Sequence, residues 1–383
     1  MLLKRSNKFL ASLLVSTLFL TACQTQGTDE NEEPDQETAS SQQETESSKA
    51  EESSEADESD GNGEQEVSQD LKSWFPPLED TYLEYEGEGN EFAAFTRYPQ
   101  FNHEDTLQMT EATGGTTVVR IYEYSDEQVE EIFSRPETYF REDFADTGLA
   151  SGSDNLMILL QKPIELNHSW ESPNGAVSEI TGLDVEVETP LGTMEALEVT
   201  SKHDGYTNLS YYAEGMGLIK RVAEQGENQE DDITSTLMAF DEETPEKLPV
   251  TIYSLDDEAL NIVPHAVELE LYTNDPVRIT LADYMTGRLG EEEIGVLLPE
   301  ETTINYMYLR QDGIVAVDFS KELIENMNAG AGIEAMILQA VVNTIGDYYD
   351  VEEILLTVEE EPYSSGHILL QEDETMSVDY GNE

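Results

Sequence analysis

The chain has 383 residues, with 18 Lys plus Arg against 84 Asp plus Glu and a formal net charge of −66. Such acidity excludes a nucleic-acid binder, because phosphates would be repelled rather than neutralised, and a single cysteine excludes a disulfide framework or a multi-cysteine metal site. At roughly 100–200 residues per domain the length allows two modest domains, and 38% hydrophobic residues suffice for their cores.

The first 22 residues read as an address. Lys4, Arg5 and Lys8 make a positive start and residues 9–20 a short apolar run, which together form the pattern of a bacterial signal peptide. The run ends at Leu20-Thr21-Ala22-Cys23, a quartet that resembles the lipobox of bacterial lipoproteins. The resemblance implies cleavage between Ala22 and Cys23 and attachment of diacylglycerol to the Cys23 thiol. A plain secretory signal or a spanning helix is the blander reading, and the run is short for a helix that must cross about 30 Å of hydrocarbon. The mature chain is therefore expected on the extracytoplasmic face of a cell membrane, held by acyl chains that bury methylenes at about 0.8 kcal/mol each.

Residues 23–70 read as an acidic, disordered tether. From position 24 onward they carry 17 acids against one base, Lys49, with Val67 as the only large aliphatic and no aromatic residue. A segment that poor in apolar surface cannot offset its chain entropy. Asp60-Gly61-Asn62-Gly63 looks briefly like the middle of a calcium loop, but Glu58 and Gln69 occupy the positions of its first and last ligands and no apolar helices flank it. With three cations in the signal and this tether removed, −53 remains on residues 71–383. The folded surface repels itself, and screening near 1 M salt, where the Debye length is about 3 Å, removes most of that repulsion. A salty or alkaline exterior, as met by exported proteins of halophiles, is the expected setting, with a generic solubility surface as the blander reading; only nine Lys occur in the chain, a scarcity that mere solubility does not require.

Thr244-Pro245-Glu246-Lys247-Leu248-Pro249 is the clearest internal break, and it divides the folded part into domains at 71–244 and 249–383. The first is expected to be a twisted, mostly antiparallel sheet. Residues 116–122 alternate, residues 184–188 turn through Pro190-Leu191-Gly192-Thr193 into 194–200, and residues 208–212 turn through Glu214-Gly215-Met216-Gly217 into 218–221. One helix is predicted, from a capping box of Ser125 and Gln128 through Val129, Ile132 and Phe133 to a stop at Pro136. The series Pro163-Ile164-Glu165-Leu166 to Trp170, Thr189-Pro190-Leu191-Gly192-Thr193-Met194 and Tyr211-Tyr212-Ala213-Glu214-Gly215-Met216-Gly217 resembles a β-rich module of Gram-positive lipoproteins. No activity comes with it, the glycines and prolines suit tight hairpins, and Trp170 reads as core.

The second domain reads strand (251–255), strand (261–270), helix (276–287), strand (302–310), strand (314–318), helix (333–348), strand (354–358). Ile333, Met336, Ile337, Ala340, Val341 and Ile345 form one stripe of a 3.6-residue period, and Gln311-Asp312-Gly313 makes a hairpin turn. The fold class is thus α+β: a mostly antiparallel β domain followed by a small α+β sandwich with helices on one face of a sheet. Val250-Thr251-Ile252-Tyr253, Leu298-Pro299-Glu300-Glu301-Thr302-Thr303-Ile304, residues 313–320 and Ala340-Val341-Val342-Asn343-Thr344-Ile345 resemble the GerMN domain of sporulation and spore-germination lipoproteins. Two positions depart from its pattern: Gly287-Arg288 stands for the usual Gly-Pro, and Glu359-Glu360-Glu361-Pro362 for a closing glycine.

That resemblance implies a non-enzymatic module, similar to ring-building domains of envelope assemblies, working by protein–protein contact. The sequence carries no Gly-x-Ser-x-Gly, Ser-x-x-Lys, phosphate loop or His-Glu-x-x-His, and its five histidines, at 103, 168, 203, 265 and 367, are scattered. No catalytic, metal or cofactor-binding residue is assigned. The expected partners are the membrane, through the lipid, and envelope proteins, with salt-dependent self-association. Sporulation or germination is the leading role, with modulation of a vegetative envelope partner and a lipid or wall-fragment carrier built on the first domain as alternatives. Cys23→Ser should abolish lipid attachment and leave the chain soluble or trapped as precursor, as read by fractionation; membrane retention after a high-salt wash contradicts the anchor.

Overall fold

Inner-face side chains of one long curled sheet dominate the first half. The computed structural model describes residues 67–147, 156–226, 232–289 and 294–381; the signal segment, Ala22, Cys23, residues 60–63 and the tether as far as residue 66 lie outside these. Residues 67–70, expected in the tether, belong instead to the fold. Trp74 donates its indole N–H to the Ser68 carbonyl, the Gln69 amide exchanges two 3.0 Å hydrogen bonds with the backbone of Ile164, and Val67 packs on the same core.

A one-turn helix, α1 (Leu71–Trp74), precedes β1 (Tyr82–Glu88), β2 (Phe95–Asn102), β3 (Thr106–Thr113), β4 (Thr117–Tyr124), β5 (Gln128–Arg135), β6 (Met157–Gln161), β7 (Ser169–Glu171), β8 (Val177–Thr189), β9 (Gly192–His203), β10 (Tyr206–Ala213), β11 (Gly217–Glu224) and β12 (Ile233–Asp241). They form a 12-stranded sheet in the order β6-β5-β4-β3-β2-β1-β12-β11-β10-β9-β8-β7: two antiparallel meanders joined where the first strand pairs with the last. Bulges, among them those on β12, β2, β5 and β11, sharpen its twist. Leu83, Leu107, Tyr122, Ile180, Leu197 and Ile219 consequently meet in one core, with Leu71, Trp74 and Phe75 as its plug. The edges also meet: Trp170 donates its indole N–H to the Ile158 carbonyl and the Ile158 N–H donates to the Ser172 hydroxyl, both at 3.0 Å. Trp170 is core, as its context implied.

Residues 125–136 are not the expected helix. The Ser125 hydroxyl accepts from the N–H groups of Glu127 and Gln128 in a hairpin turn, and the chain returns as β5. Between the pairs Ile121↔Phe133 and Tyr122↔Glu131 this strand holds one extra residue, Ile132. The bulge leaves Val129 in the sheet's own core and sends Ile132 and Phe133 to a second core. Apolar residues spaced like a helical face are here a strand serving two cores.

The second half begins with β13 (Glu246–Leu255) and β14 (Ile262–Leu271), which pair only with each other. β13 starts before Pro249 and runs through it, five residues ahead of the expected strand. There follow α2 (Val277–Met285), β15 (Ile304–Leu309), β16 (Val315–Phe319), α3 (Glu322–Glu325), α4 (Ala331–Tyr349), β17 (Glu353–Val358), β18 (Glu361–Pro362) and β19 (Met376–Ser377). The sheet order is β15-β16-β17-β18 with β19 also on β17, and β16 and β17 are parallel, a pairing that requires the crossover α4 supplies. α4 packs on this sheet and on β13 of the separate ribbon. It is therefore buried on more than one side from Ile337 to Gly346, wider than the predicted stripe. A Cβ on Gly346 would lie 2.2 Å from a Val378 methyl, so that position admits the C-terminal segment only as glycine. At the two departures from the family pattern, Arg288 pairs with Asp283 at 2.6 Å, while Glu359 and Glu360 hold positive φ of 51° and 66°, a conformation glycine adopts with less strain.

The two halves share a core. Val119, Ile121 and Phe133 from the outer face of the curled sheet, with Phe140 and Phe144 from the segment after β5, pack with Ile252, Leu338 and Tyr349. Phe144 has no exposed surface and lies 5.5 Å from Phe133 and 6.0 Å from Phe140. Phe144→Ala should cost about 3–5 kcal/mol in denaturant unfolding and loosen both halves together; a loss confined to one half would deny the shared core.

Candidate functional site

Ala22 and Cys23, the residues singled out by the sequence, lie outside the described residues. The described residues converge elsewhere, on a strap (residues 136–147) threaded between the halves. Its Arg141 side chain has no exposed surface. Nη1 donates to Glu246 Oε2 at 2.9 Å, Nη2 donates to the carbonyls of Gln100 and Tyr272 at 2.8 and 2.5 Å, and the guanidinium lies 4.9 Å over the Phe101 ring. The Tyr348 hydroxyl accepts from the Arg141 N–H at 2.7 Å and donates to the Arg141 carbonyl at 2.9 Å. Burial pushes the Tyr348 pKa up, which preserves a hydroxyl able to do both.

The next residue closes a sheet edge. Glu142 Oε2 accepts from the Leu309 N–H at 2.9 Å, and Arg278 donates to the Ile304 carbonyl at 2.8 Å. Both backbone groups sit on β15, the outermost strand, so part of the edge such a strand would leave open is already occupied. Burial raises the Glu142 pKa against the opposing effect of the Leu309 hydrogen bond, and its Oε1 has no partner among the described residues. The opposite face of the sheet keeps Tyr306, Tyr308 and Leu355 half-buried, the two tyrosine rings 5.7 Å apart.

Clefts flank the strap. One of about 1060 Å³ is bordered by Glu137, Asp312, Asp347, Asp350, Glu352 and the single cation Arg135. The other, about 800 Å³, is bordered by Arg141, Glu142, His103, Arg278, Tyr306 and Tyr308. The histidines do not converge: His103 meets Asp143 at 2.9 Å, His203 meets the Asn174 carbonyl at 3.0 Å and His265 meets the Ser254 hydroxyl at 2.9 Å. Among the described residues no group of three His, Cys, Asp or Glu could hold a metal ion, and no helix is long and apolar enough to cross a membrane.

Arg141 was not legible as a site residue. Its signal was scarcity: residues 71–383 contain eight arginines and 67 acids, so an arginine beside aromatic residues, as in Tyr139-Phe140-Arg141, is placed rather than scattered.

Comparison with known proteins bears on the second half. Residues 251–364 match the Germane family, described as sporulation and spore germination. The first GerMN domain of the sporulation protein GerM from Bacillus subtilis is similar over 33% of this chain and 97% of its own, at 19% identity and a TM-score of 0.27. The tandem GerMN domains of that protein are similar over 34% of this chain and 46% of theirs, at 20% identity and a TM-score of 0.28. A candidate lipoprotein from Parabacteroides distasonis is similar over 45% of this chain and 100% of its own, at 11% identity and a TM-score of 0.27. No curated protein matches the chain.

Arg141→Gln should destabilise the fold by about 3–5 kcal/mol, because it strips the donor from Glu246 and from two carbonyls in a buried seam. Arg141→Lys keeps the charge without the fork and should lose nearly as much. Calorimetry reads this out; melting unchanged in both variants would show that the seam does not depend on the guanidinium.

Proposed function

We propose that this chain is a lipid-anchored protein of the outer face of a bacterial membrane that works without catalysis, as a protein-contact module of the envelope in sporulation or spore germination. The observation that carries this reading is the match of residues 251–364 to the sporulation and spore germination family. Leu20-Thr21-Ala22-Cys23 supports the anchor, and the acidic residues after it supply reach, since a charged chain of that composition extends. Contact falls to the second half, about residues 249–383. There the half-buried Tyr306, Tyr308 and Leu355 present aromatic and apolar surface of the kind enriched at interface centres, whereas the β15 edge is partly closed by Glu142 and Arg278.

Charge sets the conditions. At −53 on residues 71–383, copies of this chain repel one another, so assembly requires high salt, a divalent cation or a less acidic partner. Sedimentation of the chain from 0.05 to 2 M NaCl should show a monomer in dilute salt, with thermal stability rising along the series and association appearing only at its upper end or on addition of envelope extract. A stable ring at low salt, or stability indifferent to salt, overturns the electrostatic argument. A monomer without partners under every condition overturns the contact-module reading. Production confined to sporulating cells supports the sporulation role over a vegetative one.

A further inference from the structure

The inner face of the curled sheet changes character along its strands. Side chains of one face recur every second residue, and on that face apolar positions are followed by charged ones: Phe95 by Arg97, Met109 by Glu111 and Val129 by Glu131, with Arg120 two residues ahead of Tyr122. Arg221 of β11 completes the group from across the curl. Arg97 donates Nε and Nη2 to Glu111 Oε2 at 2.9 and 2.5 Å, and Arg120 Nη1 donates to both Glu131 oxygens at 2.8 and 2.9 Å. Arg120 and Arg221 stand 3.9 and 3.6 Å from Glu111 Oε1.

Arg221 is the odd member. Its side chain makes no hydrogen bond among the described residues, stacks 4.8 Å from the Phe95 ring and keeps 35% of its surface open. It borders a cavity of about 460 Å³ inside the sheet, with Phe75, Tyr122, Leu159, Tyr212 and Leu218 as apolar lining. Three guanidiniums face two carboxylates here. Burial opposes ionisation of Glu111, yet Arg97, Arg221 and Arg120 together hold its pKa down at about 2, while burial raises that of Glu131. Among the described residues at least one positive charge is therefore left over, in a folded part whose net charge is −53. A network serving only to brace the sheet gains nothing from an unanswered cation in a half-buried cavity, where each unpaired charge loses hydration.

We propose that this cavity binds a singly charged amphiphile, its anionic head on Arg221 and its apolar body against Phe75, Leu159 and Leu218. A carboxylate or a phosphodiester, either of which an arginine fork can hold with two hydrogen bonds, balances the charge left over. A methylene needs about the room of a water molecule, roughly 30 Å³, so the cavity takes about fifteen heavy atoms, which is a chain of about a dozen carbons with a carboxylate, or the chain of a lysolipid whose larger head extends out past the partly open Arg221. The five charged residues lie outside the stretch matched to the sporulation family, so this inference stands apart from the function proposed above.

The test is calorimetric titration of the full chain carrying Cys23→Ser with dodecanoate, with lysophosphatidylglycerol of the same chain length, with dodecanol and with inorganic phosphate, all below micellar concentration. One-to-one binding of dodecanoate or of the lysolipid is expected, the one that binds identifying a free carboxylate or a lipid phosphodiester as the source. Arg221→Gln should weaken it roughly tenfold or more, Arg221→Lys should weaken it less, and dodecanol should bind less tightly and without regard to either substitution. Since the Arg221 side chain holds no hydrogen bond among the described residues, circular dichroism of both variants should match the parent. A difference between these variants cannot arise in the apolar first 22 residues, which they share. Absence of saturable binding by both amphiphiles, equal binding by the parent and Arg221→Gln, or binding of inorganic phosphate as tight as either amphiphile overturns the proposal; should Arg221→Gln fail to fold, equal binding by the parent and Arg221→Lys does so.

Discussion

A single arginine out of contact with water decides how the two halves of this protein meet. Moving a guanidinium from solvent into a protein interior costs several kcal/mol unless its donors are answered, and the answers to Arg141 come from four places in the chain: the Gln100 carbonyl on β2, Glu246 at the start of β13, the Tyr272 carbonyl just after β14 and, through the backbone, Tyr348 on α4. Nη1 and Nη2 are answered in this way, while Nε has no partner among the described residues. The strap carrying Arg141 is held in the seam, and Phe140 and Phe144 on either side of it become part of the second core.

The rest of the second half follows from that placement. With Tyr348 fastened to the strap, α4 lies between the β13–β14 ribbon and the sheet it crosses over, and the Thr344 hydroxyl accepts the Tyr253 N–H at 2.9 Å to fix the ribbon on its far side. Glu142, one residue along the strap, reaches the Leu309 N–H on the outermost strand. One segment therefore joins the halves, completes a core and protects a sheet edge from unplanned pairing, while the face bearing Tyr306 and Tyr308 stays half-buried.

Charge is distributed by the same economy. Carboxylates cover a surface that salt can screen, whereas several of the few arginines are drawn inward, to the seam and to the cluster around Glu111. Interior positions are where a cation is worth most in a chain of this composition, because Coulomb attraction is screened least there. Arg97 and Arg120 hydrogen-bond carboxylates that the fold has already desolvated, whereas Arg221 approaches Glu111 at 3.6 Å without a side-chain hydrogen bond, the asymmetry on which the proposed cavity rests.

Local patterns were enough for much of this. Alternation at 116–122 and 184–200, the hairpin glycines at 192, 215 and 217, the 3.6-residue stripe at 333–345 and the lipobox-like Leu20-Thr21-Ala22-Cys23 are statements about neighbours within a few residues, and the sequence by itself determined the mostly β first half and the main strands and helices of the second, with the anchor as an expectation. It misled where one short pattern satisfies two structures: Val129, Ile132 and Phe133 have helical spacing, and only the pairing of β4 with β5 turned them into a bulged strand. What joins distant positions was decided by the tertiary structure alone. Arg141 and Tyr348 are 207 residues apart, and Arg221 approaches Glu111 only because the sheet curls until its third and eleventh strands face one cavity. Periodicity records which side of an element is apolar, but it carries no information about which other element will cover that side or leave a charge there unanswered.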